Sequence, residues 1–276
     1  MDRTDGRRIC IVLFMAGSWA VWAVGGRSAE PARPLRVAAA ADLRYAMEEL
    51  VQVFRQRHPD VAVKVVYGSS GNLYAQVLNR APLDMFFSAD AEYPRRLAAQ
   101  GLVLPGSQPF SYAVGFIVLW VRRESPIDVE RSGMAVLRDP VVRRIAIAQP
   151  QHAPYGRAAV AALKYFGIYD DVAGKLVYGE NISQTAQFVQ SGAADVGILA
   201  LSLALAPAIR DAGRYWQIPR EAYPPIEQAG VILRWARDPS AARAFRDFVL
   251  SPEGQAILAR YGFEKPGSSG DGRTDR

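Results

Sequence analysis

Apolar residues along the chain fall into runs of two different periods. Short, nearly continuous apolar runs at residues 35–40 (LRVAAA), 61–67 (VAVKVVY) and 84–88 (DMFFS) fit buried strands. Between the first two, Leu43, Ala46, Met47, Leu50 and Phe54 recur at helical spacing, and Pro59 stops that helix. Residues 71–79 and 91–100 predict two more helices, the second ended by Gly101. This βαβαβα order predicts a mostly parallel sheet with helices on both faces. A long β-type run, FSYAVGFIVLWV at residues 110–121, interrupts it. Alternation then resumes, with strands at 144–148, 175–178 and 195–199 and helices at 155–166 and 182–190. A strand at 228–234 and helices at 239–250 and 252–261 close the chain. Those last helices have no surface to pack on except the first unit.

The expected fold class is therefore α/β: two α/β lobes with a ligand cleft between them, joined by two crossover strands. Lobe 1 is expected over 30–113 and 229–266, lobe 2 over 114–228, and a disordered tail over 267–276. The crossings fall near residues 112–115 and 224–230. Two connections leave room for hinge closure.

Composition narrows the function. The chain has 276 residues, a net charge of +6, 50% hydrophobic and 22% charged residues, which excludes a disordered or fibrous protein. Cys10 is the sole cysteine, so no internal disulfide framework exists, and two histidines, His58 and His152, argue against the usual zinc site. Positive charges are spread along the chain with no nucleic-acid module, so no nucleic-acid partner is expected.

The N-terminus reads as a targeting segment, residues 1–29. Arg7 and Arg8 precede an uncharged stretch at 9–24, and the small residues Gly25, Gly26, Ser28 and Ala29 follow around Arg27. Its sixteen uncharged residues fall just short of the roughly 17–25 needed to span a bilayer. Cutting after Ala29 removes four Arg and two Asp, lowers the charge from +6 to +4 and leaves no cysteine. That composition suits an oxidising compartment.

Four strand-to-helix turns carry the candidate chemistry: AAADL (39–43), GSSGN (68–72), HAPYG (152–156) and GENIS (179–183). Ligands of open α/β sheets lie outside the carboxyl ends of the strands, where such turns are found. Each helix start exposes N–H groups the helix cannot use and carries about half a positive charge. Pro154 suits a first helical position and Asn181 a cap. None of the four turns contains Lys or Arg. A small tetrahedral dianion, held by neutral dipoles and hydroxyls, fits this set. Any one turn alone is an ordinary helix cap; only their joint presence points to a ligand.

At these residues the chain resembles the periplasmic molybdate-binding proteins of ABC transporters, which are two-lobed solute-binding proteins. The resemblance runs from residue 35 to 266 through VAAAADL, VYGSSGNLYAQVLNRAPLDMFFSAD, AQPQHAPYGRAAVAAL, GENISQTAQFVQSGAADVGILAL and FRDFVLSPEGQAILARYGF. It implies a type II periplasmic-binding-protein-like fold that takes molybdate, and usually tungstate, as an oxyanion with no direct metal ligation and no cofactor. Ser70 is then expected to give a hydroxyl and an N–H, Tyr155 and Ile182 an N–H each, and the first turn maps onto Ala41 and Asp42. A membrane-embedded ABC permease is the implied partner, the protein a monomer, and its location periplasmic.

The first turn departs from the family's pattern. Ser, Thr or Asn is common there, whereas Ala41 has no hydroxyl and an ionised Asp42 can only accept. The favoured expectation is that Asp42 caps the following helix with its carboxylate turned onto N–H groups. The alternative is that it accepts a hydrogen bond from a protonated ligand such as hydrogen phosphate. The family's frequent Tyr is also missing from the segment at Ala200 and Leu201. A serine hydrolase, with Ser69 or Ser70 as nucleophile and His152 as base, is the rival from another class. GSSGN lacks the G-x-S-x-G elbow, and no carboxylate is evident for His152. His58, in RHPD, reads as a solvated surface residue.

Overall fold

The computed structural model describes residues 34–267. The expected signal segment and residues 268–276 of the expected tail lie outside the described residues, and so do residues 30–33 of the expected first lobe.

Ten strands form two five-stranded sheets. The first sheet has the order β2-β1-β3-β10-β4, built from β1 (Leu35–Ala40), β2 (Val63–Gly68), β3 (Met85–Ser88), β4 (Phe110–Gly115) and β10 (Ile226–Ile232). β1 runs parallel to β2 and β3, and β10 runs antiparallel to β3 and β4. Successive side chains point to opposite faces. Val37, Ala39, Met85 and Phe87 face one core, and Ala38, Phe86 and Val231 the other. Helix α1 (Arg44–Arg57) lays Ala46, Met47, Leu50 and Phe54 on the first face, as their spacing predicts. The two closing helices, α6 (Pro239–Leu250) and α7 (Pro252–Arg260), return to the same face, where the Phe54 ring meets Phe245 edge-on at 5.0 Å. Helices α2 (Ser70–Leu78) and α3 (Glu92–Ala99) cover the other face through Leu73, Val77 and Leu97.

The second sheet repeats the plan with the order β7-β6-β8-β5-β9. It contains β5 (Ile117–Arg122), β6 (Ile145–Ala148), β7 (Leu176–Gly179), β8 (Val196–Ala200) and β9 (Gly213–Gln217). β6 is parallel to β7 and β8, while β5 is antiparallel to β8 and β9. Helices α4 (Pro154–Tyr165) and α5 (Ile182–Gln190) pack on it through Ala159, Ala162, Leu163, Ala186 and Val189. β9 has no counterpart in the sequence reading, because GRYWQ is half-buried and lacks a clean alternation.

The run at 110–121 is two strands, parted by Phe116 alone, with β4 in the first sheet and β5 in the second. The expected lobe boundaries at 113/114 and 228/229 fall inside β4 and β10, which both pair wholly within the first sheet. The chain therefore crosses at Phe116 and returns across residues 218–225. Pro219, Pro224 and Pro225 mark the return, since proline has no N–H for a ladder. Nothing in an unbroken apolar run marks where a strand changes partners. No helix among the described residues is long and apolar enough to cross a membrane.

Candidate functional site

The strands β1, β2, β6 and β7 deliver their carboxyl ends to one place, two from each sheet. The segments that follow line a single small pocket. The first turn gives Ala40, Ala41 and Asp42, and the second Gly68, Ser69 and Ser70. The third gives Ala153, Pro154 and Tyr155, the fourth Asn181 and Ile182, and Ala89 completes the wall. All five residues singled out from the sequence, Ala41, Asp42, Ser70, Tyr155 and Ile182, thus meet in one pocket.

The local sequence explains what each turn offers. Pro154 opens α4, where a missing N–H costs nothing. Ser70 and Ile182 open α2 and α5, and Tyr155 is second in α4. Their N–H groups are first-turn donors that their own helices leave unused. Ser70 Oγ accepts the N–H of Ala89 at 2.9 Å, which leaves its own proton to give away. Asn181 caps α5 in extended conformation, its amide oxygen taking the N–H groups of Ser183 and Gln184 at 3.0 and 3.1 Å.

The lobes close tightly over the pocket. Gly71 N–H donates to the His152 carbonyl at 2.9 Å, and a Cβ at residue 71 would lie 2.8 Å from that carbonyl. Ser69 Oγ and His152 Nδ1 share a hydrogen bond at 2.9 Å. Ser183 Oγ donates to the Ala41 carbonyl at 2.9 Å and Ser202 Oγ to that of Asp42 at 2.8 Å. Arg157 pairs with Asp90 at the rim.

Asp42 corrects an expectation. It lies inside a 3-10 turn, Ala41–Leu43, and no side chain caps either that turn or α1. Its carboxylate instead serves the lobe interface. Oδ2 accepts from Tyr155 Oη at 2.9 Å and from Gln228 Nε2 at 2.6 Å. Gln228 Oε1 in turn accepts from Tyr112 Oη at 2.7 Å. Oδ1 is buried and has no partner among the described residues. Burial pushes the Asp42 carboxyl up from 3.8 to about 6, against the lowering influence of Gln228, Tyr155 and the nearby backbone N–H groups. Burial also holds the Tyr155 and Tyr112 hydroxyls well above the ordinary tyrosine range, so both remain donors.

Gln228 and Tyr112 were not anticipated as site residues. Their signal was a polar side chain in the middle of an apolar strand: Gln228 in IEQAGVI and Tyr112 in FSYAVG. A buried polar group of this kind needs a partner: Gln228 finds Asp42, and Tyr112 finds Gln228 and the Ser88 carbonyl.

Two α/β lobes that close helix N-termini over a small pocket form a clamp for a small anion. The profile of bacterial extracellular solute-binding proteins matches residues 35–264, and the chain belongs to that family. It is 35% identical over 226 residues to the molybdate-binding protein ModA of Rhodobacter capsulatus, covering 82% of this chain and 86% of the relative. With ModA of Azotobacter vinelandii it shares 35% identity over 237 residues, 85% of this chain and 91% of the relative. The solved Azotobacter vinelandii periplasmic molybdate-binding protein superposes with a TM-score of 0.76, covering 84% of this chain and 99% of that one. The sulfate-binding protein SubI of Mycobacterium tuberculosis, 16% identical with a TM-score of 0.69 over 85% of this chain and 87% of its own, shares the fold.

Proposed function

We propose that this protein is the substrate-binding component of an ABC importer and captures molybdate, with tungstate as an equivalent ligand. The observation that carries this reading is the meeting of four strand-to-helix turns in a pocket whose wall, among the described residues, contains no Lys or Arg. Oriented N–H groups and the Ser70 hydroxyl replace the hydration shell of a tetrahedral dianion. The ligand is bound through its oxygens, with no cofactor or resident metal taking part. The protein works as a periplasmic monomer that presents its closed, loaded form to a membrane-embedded permease, and it has no nucleic-acid partner. The relatives' printed names and the family match support the molybdate ligand and the substrate-binding role beside a permease.

One observation favours a second reading. The unpartnered Asp42 Oδ1 suits a ligand that carries a proton, such as hydrogen phosphate. The hydrolase reading is weaker. Ser69 and His152 do meet, but from opposite lobes, and no carboxylate among the described residues bonds the His152 ring. A binding role, not catalysis, is the reading these contacts support.

The test is titration of anion-free protein with molybdate, tungstate, sulfate and phosphate, followed by melting. At a hundredfold excess over Kd a ligand adds about 2.7 kcal/mol. For a chain of this size that raises Tm by roughly 5–10 °C. Absence of any shift with molybdate and tungstate at millimolar concentration would overturn the reading.

A further inference from the structure

We propose that Asp42 couples anion capture to one proton: when the cleft closes on an oxyanion, a single proton lies between Asp42 Oδ1 and a ligand oxygen. This rests on the oxyanion reading above and adds to it the protonation state of the captured complex.

The geometry assigns the two carboxylate oxygens different tasks. Oδ2 is saturated by Tyr155 Oη and Gln228 Nε2, which hold the group in place from α4 and β10. Oδ1 is buried without a partner in a side chain that lines the pocket. A bare carboxylate there repels an anion, and the dry, closed cleft gives little screening. One proton turns the repulsion into a hydrogen bond. A fully deprotonated dianion such as molybdate or sulfate draws that proton from solvent, and it stays on Oδ1, which donates. Hydrogen phosphate brings its own, and Oδ1 accepts. Either way the closed complex holds one proton at that contact.

The described surroundings of Asp42 supply no competing charge. Tyr155 faces Asp42 from α4, Tyr112 from β4 through Gln228, and Tyr223, whose Oη accepts the Ile117 N–H, is near enough to Tyr155 to act on it electrostatically. Burial keeps all three phenols protonated. Ser202 bonds the Asp42 main chain. The ionisable groups at the rim have other partners: His152 bonds Ser69 and Arg157 pairs with Asp90. Among the described residues, Asp42, whose carboxyl is pushed up to about 6, is the one acidic group lining the pocket.

The experiment is calorimetric titration of the wild-type protein at about pH 8 in buffers of different ionisation enthalpy, with molybdate, sulfate and phosphate as probes. The expected result is uptake of close to one proton per molybdate or sulfate, and less for phosphate in proportion to the hydrogen phosphate already present. The molybdate Kd should rise about tenfold per pH unit above pH 7, the slope of a one-proton linkage. Asp42→Asn should abolish both the uptake and the slope, which separates Asp42 from His152. Molybdate binding with no proton uptake and no slope in the wild type overturns the inference and leaves the oxyanion reading standing. A slope that persists in the folded Asn variant also overturns it. Failure of every oxyanion to bind at any pH overturns both.

Discussion

Asp42 in the first lobe and Asn181 in the second each stand two residues beyond the end of a parallel strand, and do opposite things. Asn181 has an extended backbone, and its side chain turns back to cap α5. Asp42 sits within the 3-10 turn that precedes α1, where the backbone is already helical, and its side chain makes no capping hydrogen bond. It reaches Tyr155 of the other lobe instead. Two side chains of nearly the same shape thus divide the work. The neutral amide serves its own helix, and the carboxylate ties one lobe to the other at the cost of a buried charge. Side-chain type alone does not make a cap; the local backbone decides.

The contrast breaks most completely at Gly115. A Cβ there would fall 2.2 Å from Tyr155 Oη and 2.8 Å from Gln228 Nε2, the two donors to Asp42. Gly115→Ala must displace Tyr155, which belongs to the opposite lobe, so the strain falls on closure more than on either lobe's core. Overpacking of this kind costs about 3 kcal/mol, or roughly a hundredfold in molybdate Kd. Calorimetry reads it, and an affinity within a few-fold of wild type would mean that the Tyr155–Gly115 contact is not part of the loaded form.

Asp42→Asn sharpens the contrast by removing charge and keeping shape. The folded carboxyl titrates at about 6 against an ordinary 3.8, so the folded state holds its proton more firmly than the unfolded one. The destabilisation is therefore absent below pH 3.8, grows between 3.8 and 6, and is complete above 6. Asn should stabilise the ligand-free protein by up to about 3 kcal/mol at neutral pH and by almost nothing near pH 4. Melting curves at both pH values check this; an equal gain at the two would exclude the buried charge as its source.

The architecture was legible because it rests on periodicity. The α1 stripe of Ala46, Met47, Leu50 and Phe54, the closing helices and all four helix starts were readable from spacing and capping residues alone. The two crossings were legible to within a few residues, near 112–115 and 224–230, but their exact places were not, since a change of strand partner at Phe116 leaves no mark in an apolar run. The four turns could be named because turns at the carboxyl ends of parallel strands converge by topology, and the family resemblance picked the five residues within them. What escaped was how Asp42 is used. Its partners lie 113 and 186 residues away in the chain, and no local rule reaches that far. The buried Gln228 and Tyr112 offered only the general sign of polar groups that must be satisfied.

The smallest effect is expected at Asn181, the other half of the contrast. Asn181→Ala strips the cap from the Ser183 and Gln184 N–H groups and should cost about 1 kcal/mol. No titrating group is involved, so the loss should be the same at pH 4.5 as at pH 7.5, unlike the change at Asp42. Asn181→Asp tests the same point from the other side. A carboxylate caps as well as an amide and is favoured by the positive end of α5, so the fold should be at least as stable. It also puts a second negative side chain on the pocket wall, and molybdate binding should weaken, the loss shrinking as salt screens the half-exposed site. Stability measured by denaturant and affinity measured by calorimetry should therefore move apart in the Asp variant. If both instead fall together, Asn181 holds more than its own helix, and the division of labour between the two turns is wrong.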